Sequence, residues 1–209
     1  MTIAVIGTGK MGSGIAKLLA AKGEKIVIGA RDPAKAAALA AEIGGGAEGG
    51  GIEAAVKLAD VAILAVWYQQ LEETVRAAGD LTGKILVDIS NPITEDFKGL
   101  RIGHTTSAAE ELQALAPNAT VVKAFNTIFS ELLPAEAREG RDPVQAFVAA
   151  DDEAAKRKVS DIAAKGGFQP VDAGPLANAR YIEPLGEMTI WFAFFLGWGP
   201  TAAPAWVKS

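Results

Sequence analysis

The stretch Thr2-Ile3-Ala4-Val5-Ile6-Gly7-Thr8-Gly9-Lys10-Met11-Gly12-Ser13-Gly14-Ile15 decides the fold. Its apolar run lacks polar alternation, as a strand does when both of its faces are covered. Beyond the glycines, Ile15, Leu18 and Leu19 recur at the spacing of one helix face, so Gly7, Gly9 and Gly12 occupy a strand-to-helix turn. Each glycine then has a mechanical task. Gly7 permits the tight turn, Gly9 lets a pyrophosphate approach the backbone, and Gly12 lets the helix lie close on the strand. The free N–H groups and the helix dipole complete an anion site, so the motif in this context predicts dinucleotide binding.

Outward from this turn, apolar runs at 3–6, 25–28, 61–66 and 85–89 alternate with Ala-rich amphipathic stretches at 14–21, 34–43 and 69–78. That alternation is the signature of a parallel sheet covered by helices. It continues through a helix at 107–115, strands at 121–125 and 146–150, a helix at 152–165 and a strand at 169–172. We expect an α/β, Rossmann-like, doubly wound and mostly parallel sheet of six or more strands, closed by a short C-terminal helical segment. Residues 1–174 form the expected dinucleotide-binding domain and 175–209 the segment that completes a pocket or a dimer interface. The glycine-rich stretch 44–51 reads as a loop around a very short third strand. The apolar, aromatic stretch 188–198 is too short to span a membrane and reads as a buried or subunit-facing helix.

The second strand ends Ile28-Gly29-Ala30-Arg31, without the carboxylate that would accept the ribose 2′-hydroxyl of NAD. Arg31 offers a planar guanidinium for a 2′-phosphate, and Lys35 adds a second positive charge one turn along. The dinucleotide expected is therefore NADP(H). Asp32 before Pro33 reads as the cap of the next helix, and the alternative for Arg31 is a surface salt bridge. Val66-Trp67-Tyr68 and Ser90-Asn91-Pro92 follow two further strands, at the sheet edge where open α/β folds bind ligands.

Composition excludes other chemistry. The chain has 209 residues, no cysteine and one histidine, His104, so thiol chemistry, Cys-x-x-Cys redox motifs and multi-histidine metal sites are all absent from the expectations. Its net charge of −5 and the lack of a basic stripe argue against nucleic acid as a partner. No basic stretch and cleavage site precede the first strand, which makes the cytoplasm the expected location.

These residues resemble the family of 8-hydroxy-5-deazaflavin (coenzyme F420):NADP oxidoreductases, whose relatives include the reductase domains of the STEAP metalloreductases. The resemblance is carried by the glycine motif, Gly29-Ala30-Arg31 with Lys35, Asp88-Ile89-Ser90-Asn91-Pro92, Val122-Lys123-Ala124-Phe125-Asn126-Thr127, Asp151-Asp152 and Asp172-Ala173-Gly174-Pro175-Leu176. It implies that Thr8, Gly9, Lys10, Met11, Ala30, Arg31 and Lys35 hold the NADP phosphates. It implies likewise that Val66, Gln70 and Asn91 line the nicotinamide side, and that Asn126, Thr127 and Ile128 face the second redox partner, a deazaflavin or flavin. Deazaflavin reductases of the family carry a histidine where this chain has Asn126, and the Lys123-Ala124-Phe125-Asn126-Thr127 form here is more similar to the metalloreductase domains and to many bacterial members of the family.

The activity expected is hydride transfer between NADP(H) and such an acceptor, which requires stacked rings and no protein nucleophile; no residue is assigned as catalytic. Two alternatives are a reductase of a small carbonyl or imine, with Lys123 as the candidate proton donor, and a non-catalytic NADP-sensing module. A homodimer is the expected assembly.

Overall fold

The computed structural model describes residues 1–207. Six parallel strands form one sheet: β1 (Thr2–Ile6), β2 (Lys25–Ala30), β3 (Glu48–Gly51), β4 (Val61–Leu64), β5 (Ile85–Asp88) and β6 (Thr120–Lys123). Their order is β3-β2-β1-β4-β5-β6, the Rossmann arrangement. The chain leaves β1 to one side and returns at β4 on the other, so a crevice opens at the carboxyl ends of these two strands.

Strand periodicity divides the core between the two faces. Ile3 and Val5 of β1 pack with Ile15 and Leu19 of α1 (Lys10–Ala21), Leu39 of α2 (Pro33–Ile43) and Val159 and Ile162 of α6 (Glu153–Lys165). Ala4 and Ile6 point the other way, toward α3 (Ile52–Leu58), α4 (Leu71–Ala78) and α5 (Ala108–Leu115). With both faces covered, continuous apolar strands are what the sheet demands.

Three expectations are refined. The glycine-rich stretch does hold a short strand, β3, because α2 lies directly on it: a Cβ on Gly49 would sit 2.2 Å from the carbonyl oxygen of Ala36. The strands β7 (Gln145–Val148) and β8 (Gln169–Asp172) do not extend the main sheet. They pair with each other in parallel, and β7 meets β6 only through an antiparallel bridge between Lys123 and Ala149. The tail is α7 (Ala179–Ile190) running into a wider turn over Trp191–Phe195, and its end is not buried, since Met188, Phe194, Phe195, Leu196 and Trp198 are all exposed. Among the described residues no helix is long and apolar enough to cross a membrane.

Candidate active site

The first turn is built as its glycines require. Gly7 has φ +119°, and a Cβ there would lie 2.3 Å from the carbonyl oxygen of Ala65; on Gly12 it would lie 2.1 Å from the carbonyl oxygen of Gly7. Gly9 differs: a Cβ there would meet no atom within 4 Å, so the missing side chain opens the backbone to the cleft rather than to a neighbour. Gly9 also caps α1 with no side-chain hydrogen bond and no acid in the first turn, which leaves the helix N–H groups and dipole available to an anion.

A cleft of about 900 Å³ runs from this turn along the carboxyl edge of the sheet. Gly7, Thr8, Gly9, Lys10, Met11, Ala30, Arg31, Lys35, Val66, Gln70, Asn91, Asn126, Thr127 and Ile128 all line it. Gly12 is the one residue of the expected set that does not, because it is buried under the turn that it supports. Arg31 projects at the far end, 3.5 Å from Glu73, with both side chains more than half exposed. Asp32 caps α2, accepting from the N–H of Ala34 at 3.0 Å, the role expected of it from the sequence. The Arg31 pair is exposed and contributes little by itself, so the guanidinium is available to a stronger partner.

The opposite end has a more constrained wall. Asn91 donates from Nδ2 to the carbonyl oxygen of Asn126 at 2.8 Å and accepts at Oδ1 from Asn126 Nδ2 at 2.8 Å, while that Nδ2 also reaches the carbonyl of Ile182 at 3.0 Å. Asn91 thus braces Asn126. Three buried polar atoms on this wall, Ser90 Oγ, Asn126 Oδ1 and Thr127 Oγ1, have no hydrogen-bond partner among the described residues. Such groups are costly unless something supplies their bonds, and a carboxamide or ribose would do so. Phe125 begins the loop at φ +60°, a strained value for an aromatic residue, held by edge packing on Phe168 at 6.0 Å. The Gly9 cradle at one end and the unpartnered atoms at the other fit a dinucleotide laid along the cleft.

Several lining residues escaped the sequence reading. Gly186, Thr189 and Ile190 of α7, with Phe194 and Phe195 beyond it, close the cleft over Asn126. Gly186 is required there, since a Cβ would lie 2.6 Å from the Asn91 carboxamide. Trp67 lines the cleft and meets Phe97 edge-on at 6.2 Å, whereas Tyr68 turns away to donate to Glu111 at 2.7 Å. Burial and that carboxylate push the Tyr68 hydroxyl up to about 12.

Lys123 is not at the cleft. Its ammonium is fully buried and donates to Asp88 at 2.7 Å, to Glu183 at 2.7 Å and to the carbonyl of Ser90 at 2.6 Å. Burial alone would lower this lysine, but Asp88 and Glu183 outweigh it and hold the group above its ordinary range. Burial also raises Glu183, against the pull of Lys123. A proton donor to a carbonyl substrate needs to reach the cleft, so this geometry argues against Lys123 in that role. Glu183 had no local signal in the sequence: its partners on α5 lie 75 residues away.

Comparison with known proteins agrees with this geometry. Residues 2–92 match the family described as NADP oxidoreductase, coenzyme F420-dependent. The F420-dependent NADP reductase of Methanothermobacter thermautotrophicus is 34% identical, across 91% of this chain and 88% of its own length. The chain belongs to the F420-dependent NADP reductase family. Metalloreductase STEAP3 of Rattus norvegicus is 36% identical across 90% of the chain, but the chain spans only 37% of that protein. A solved structure of a hypothetical protein from Sinorhizobium meliloti superposes with a TM-score of 0.78 at 32% identity, covering 86% of this chain and 88% of that one. Family membership thus reaches past the glycine turn to the loop of Asn126 and to the tail.

Proposed function

We propose that this chain transfers hydride between NADP(H) and a deazaflavin- or flavin-type ring. The observation that carries the proposal is a single continuous cleft, with the anion cradle of Gly9 and the cations Arg31 and Lys35 at one end and the wall of Asn91, Asn126, Thr127 and Ile128 at the other. NADPH, when bound, supplies the hydride. The protein's work is placement: the α1 N-terminus holds the pyrophosphate, Arg31 and Lys35 select the 2′-phosphate, and Ser90, Asn126 and Thr127 orient the carboxamide. Residues 175–209 act as the closing segment, with Ile190, Phe194 and Phe195 giving the acceptor ring an apolar bed and excluding water from it.

The exposed Phe194, Phe195, Leu196 and Trp198 support a homodimer in which this segment packs on a second copy. We read the protein as cytoplasmic. The deciding experiment measures NADPH oxidation against the deazaflavin, FMN, FAD, ferric chelates and small carbonyls, with light scattering for the assembly. Turnover with the deazaflavin or a flavin is expected. Turnover confined to a carbonyl would establish the other reductase reading, and tight NADPH binding without turnover would indicate a sensing module.

A further inference from the structure

We infer that the buried cluster of Asp88, Lys123 and Glu183 biases the site toward the oxidised, cationic nicotinamide, so that Asp88 and Glu183 act as positioning residues through charge as well as contact. The inference rests on the reading that the nicotinamide lies against Ser90, Asn91 and Asn126.

The charge of the cluster follows from its hydrogen bonds. Asp88 accepts from Lys123 at Oδ2 and from the N–H of Ser90 at Oδ1, at 2.7 and 2.9 Å. Glu183 accepts from Lys123 at 2.7 Å and from the first amides of α5, Ala108 at 2.9 Å and Ala109 at 3.2 Å. Every hydrogen-bond partner of the two carboxylates among the described residues is a donor, an environment that favours two ionised acids around one ammonium against the burial and the mutual repulsion that raise Glu183. Two negative charges against one positive leave an excess of one, and the α5 N-terminus, equivalent to about half a positive charge, offsets only part of it. The three side chains are 0–2% exposed, so water screens little of the remainder.

The cluster lies directly behind the wall of the cleft. Asp88 holds the N–H of Ser90, Lys123 holds its carbonyl at 2.6 Å, and its Oγ is on the cleft-lining residue itself. Asn126, on the same wall, is bonded to Ile182, the residue before Glu183. A ring placed there is separated from the excess charge by one layer of backbone. The reduced nicotinamide is neutral, and loss of a hydride leaves it with one positive charge. A fixed negative charge behind the wall therefore stabilises the oxidised ring, and the charge that develops as hydride leaves, without needing to touch it. A residual half charge about 8–10 Å away in a medium of effective dielectric about 20 corresponds to a preference of about fivefold.

The test compares dissociation constants of NADP⁺ and NADPH on the full chain, by calorimetry and by nucleotide fluorescence. In Glu183→Gln, which keeps the shape and removes one whole charge, twice the residual half, the NADP⁺ constant should rise about twentyfold while that of NADPH changes by less than about twofold. Glu183→Asp, which keeps the charge, should return the ratio to the wild-type value. Equal weakening of both nucleotides, or an unchanged ratio, would overturn the inference and leave the cluster a structural brace. Should the glutamine variant not fold, Asp88→Asn removes the same charge from the other side and must move the ratio in the same direction. Failure of the wild type to bind either nucleotide would instead refute the NADP(H) reading itself.

Discussion

Replacing Gly9 and Gly12 with alanine, one at a time, should separate binding from folding within a single turn. At Gly12 the added Cβ would stand 2.1 Å from the Gly7 carbonyl oxygen and 2.8 Å from its carbon, both backbone atoms, so α1 must move off the strand. Overpacking of this kind costs about 1–3 kcal/mol, partly offset by the roughly 1 kcal/mol that alanine gains over glycine in a helix. A net loss of up to about 2 kcal/mol would lower the melting temperature by up to roughly 8 °C in a chain of this size. At Gly9, φ is −72° and no atom lies within 4 Å of the new methyl, so the apo protein should melt unchanged or slightly higher. That methyl instead occupies the approach of the pyrophosphate, and about 1–3 kcal/mol of crowding there weakens NADPH roughly 5- to 150-fold. Thermal melts of the apo proteins, paired with fluorescence titration of NADPH, read both effects. Wild-type affinity in Gly9→Ala, or an equal loss of stability in the two variants, would refute this account of the turn.

Arg31→Ala should weaken NADPH by about 1.5–3 kcal/mol while leaving NADH nearly unaffected, because only the former brings a 2′-phosphate to exchange for Glu73; parallel losses in a titration of both nucleotides would remove Arg31 from that role. Apo stability should hardly change, since the Arg31 pair is exposed on both sides. Glu187 is buried, and desolvation raises its carboxyl above the usual range against the pull of the Trp191 side chain. A raised folded pKa contributes stability that is present below the unfolded value, about 4.3, and lost as pH rises through the folded one. Glu187→Gln should therefore melt about 2–4 °C higher than wild type at pH 8, with the gap closing toward pH 4.5; a gap constant across that range in scanning calorimetry would contradict the assignment.

Much of the geometry around the glycine turn was legible because its causes are local. The conformations at Gly7 and Gly12 follow from backbone sterics within one turn, and Asp32 caps α2 through the residue two positions on. Arg31 stands out by the charge it puts where a carboxylate would otherwise be. The course of β7 and β8 was less legible, since both read as ordinary strands. Nothing in their composition reveals that β7 meets β6 in only one antiparallel bridge. Glu183 and Gly186 were hidden for a related reason. Their significance is that one reaches Lys123 and the other makes room for Asn91, and both contacts join segments far apart in the chain.

This division bears on how such a cleft diverges. The stretch that matches the family model, 2–92, carries the glycine turn, Arg31, Lys35, Ser90 and Asn91, and so the proposed phosphate sites and one side of the proposed nicotinamide site. The rest of the wall, where nicotinamide and acceptor would meet, is assembled later in the chain, from the loop of Asn126 and from α7, which the Asn91 pairing and the buried Lys123 tie back to the sheet. Substitutions on the exposed side of that wall, at Ile190, Phe194 or Phe195, can reshape the bed for an acceptor without disturbing a strand or the turn. Similarity to both F420-dependent reductases and a metalloreductase is what such an arrangement allows. The nucleotide end is constrained by backbone geometry, and the acceptor end is free to change by side chains alone.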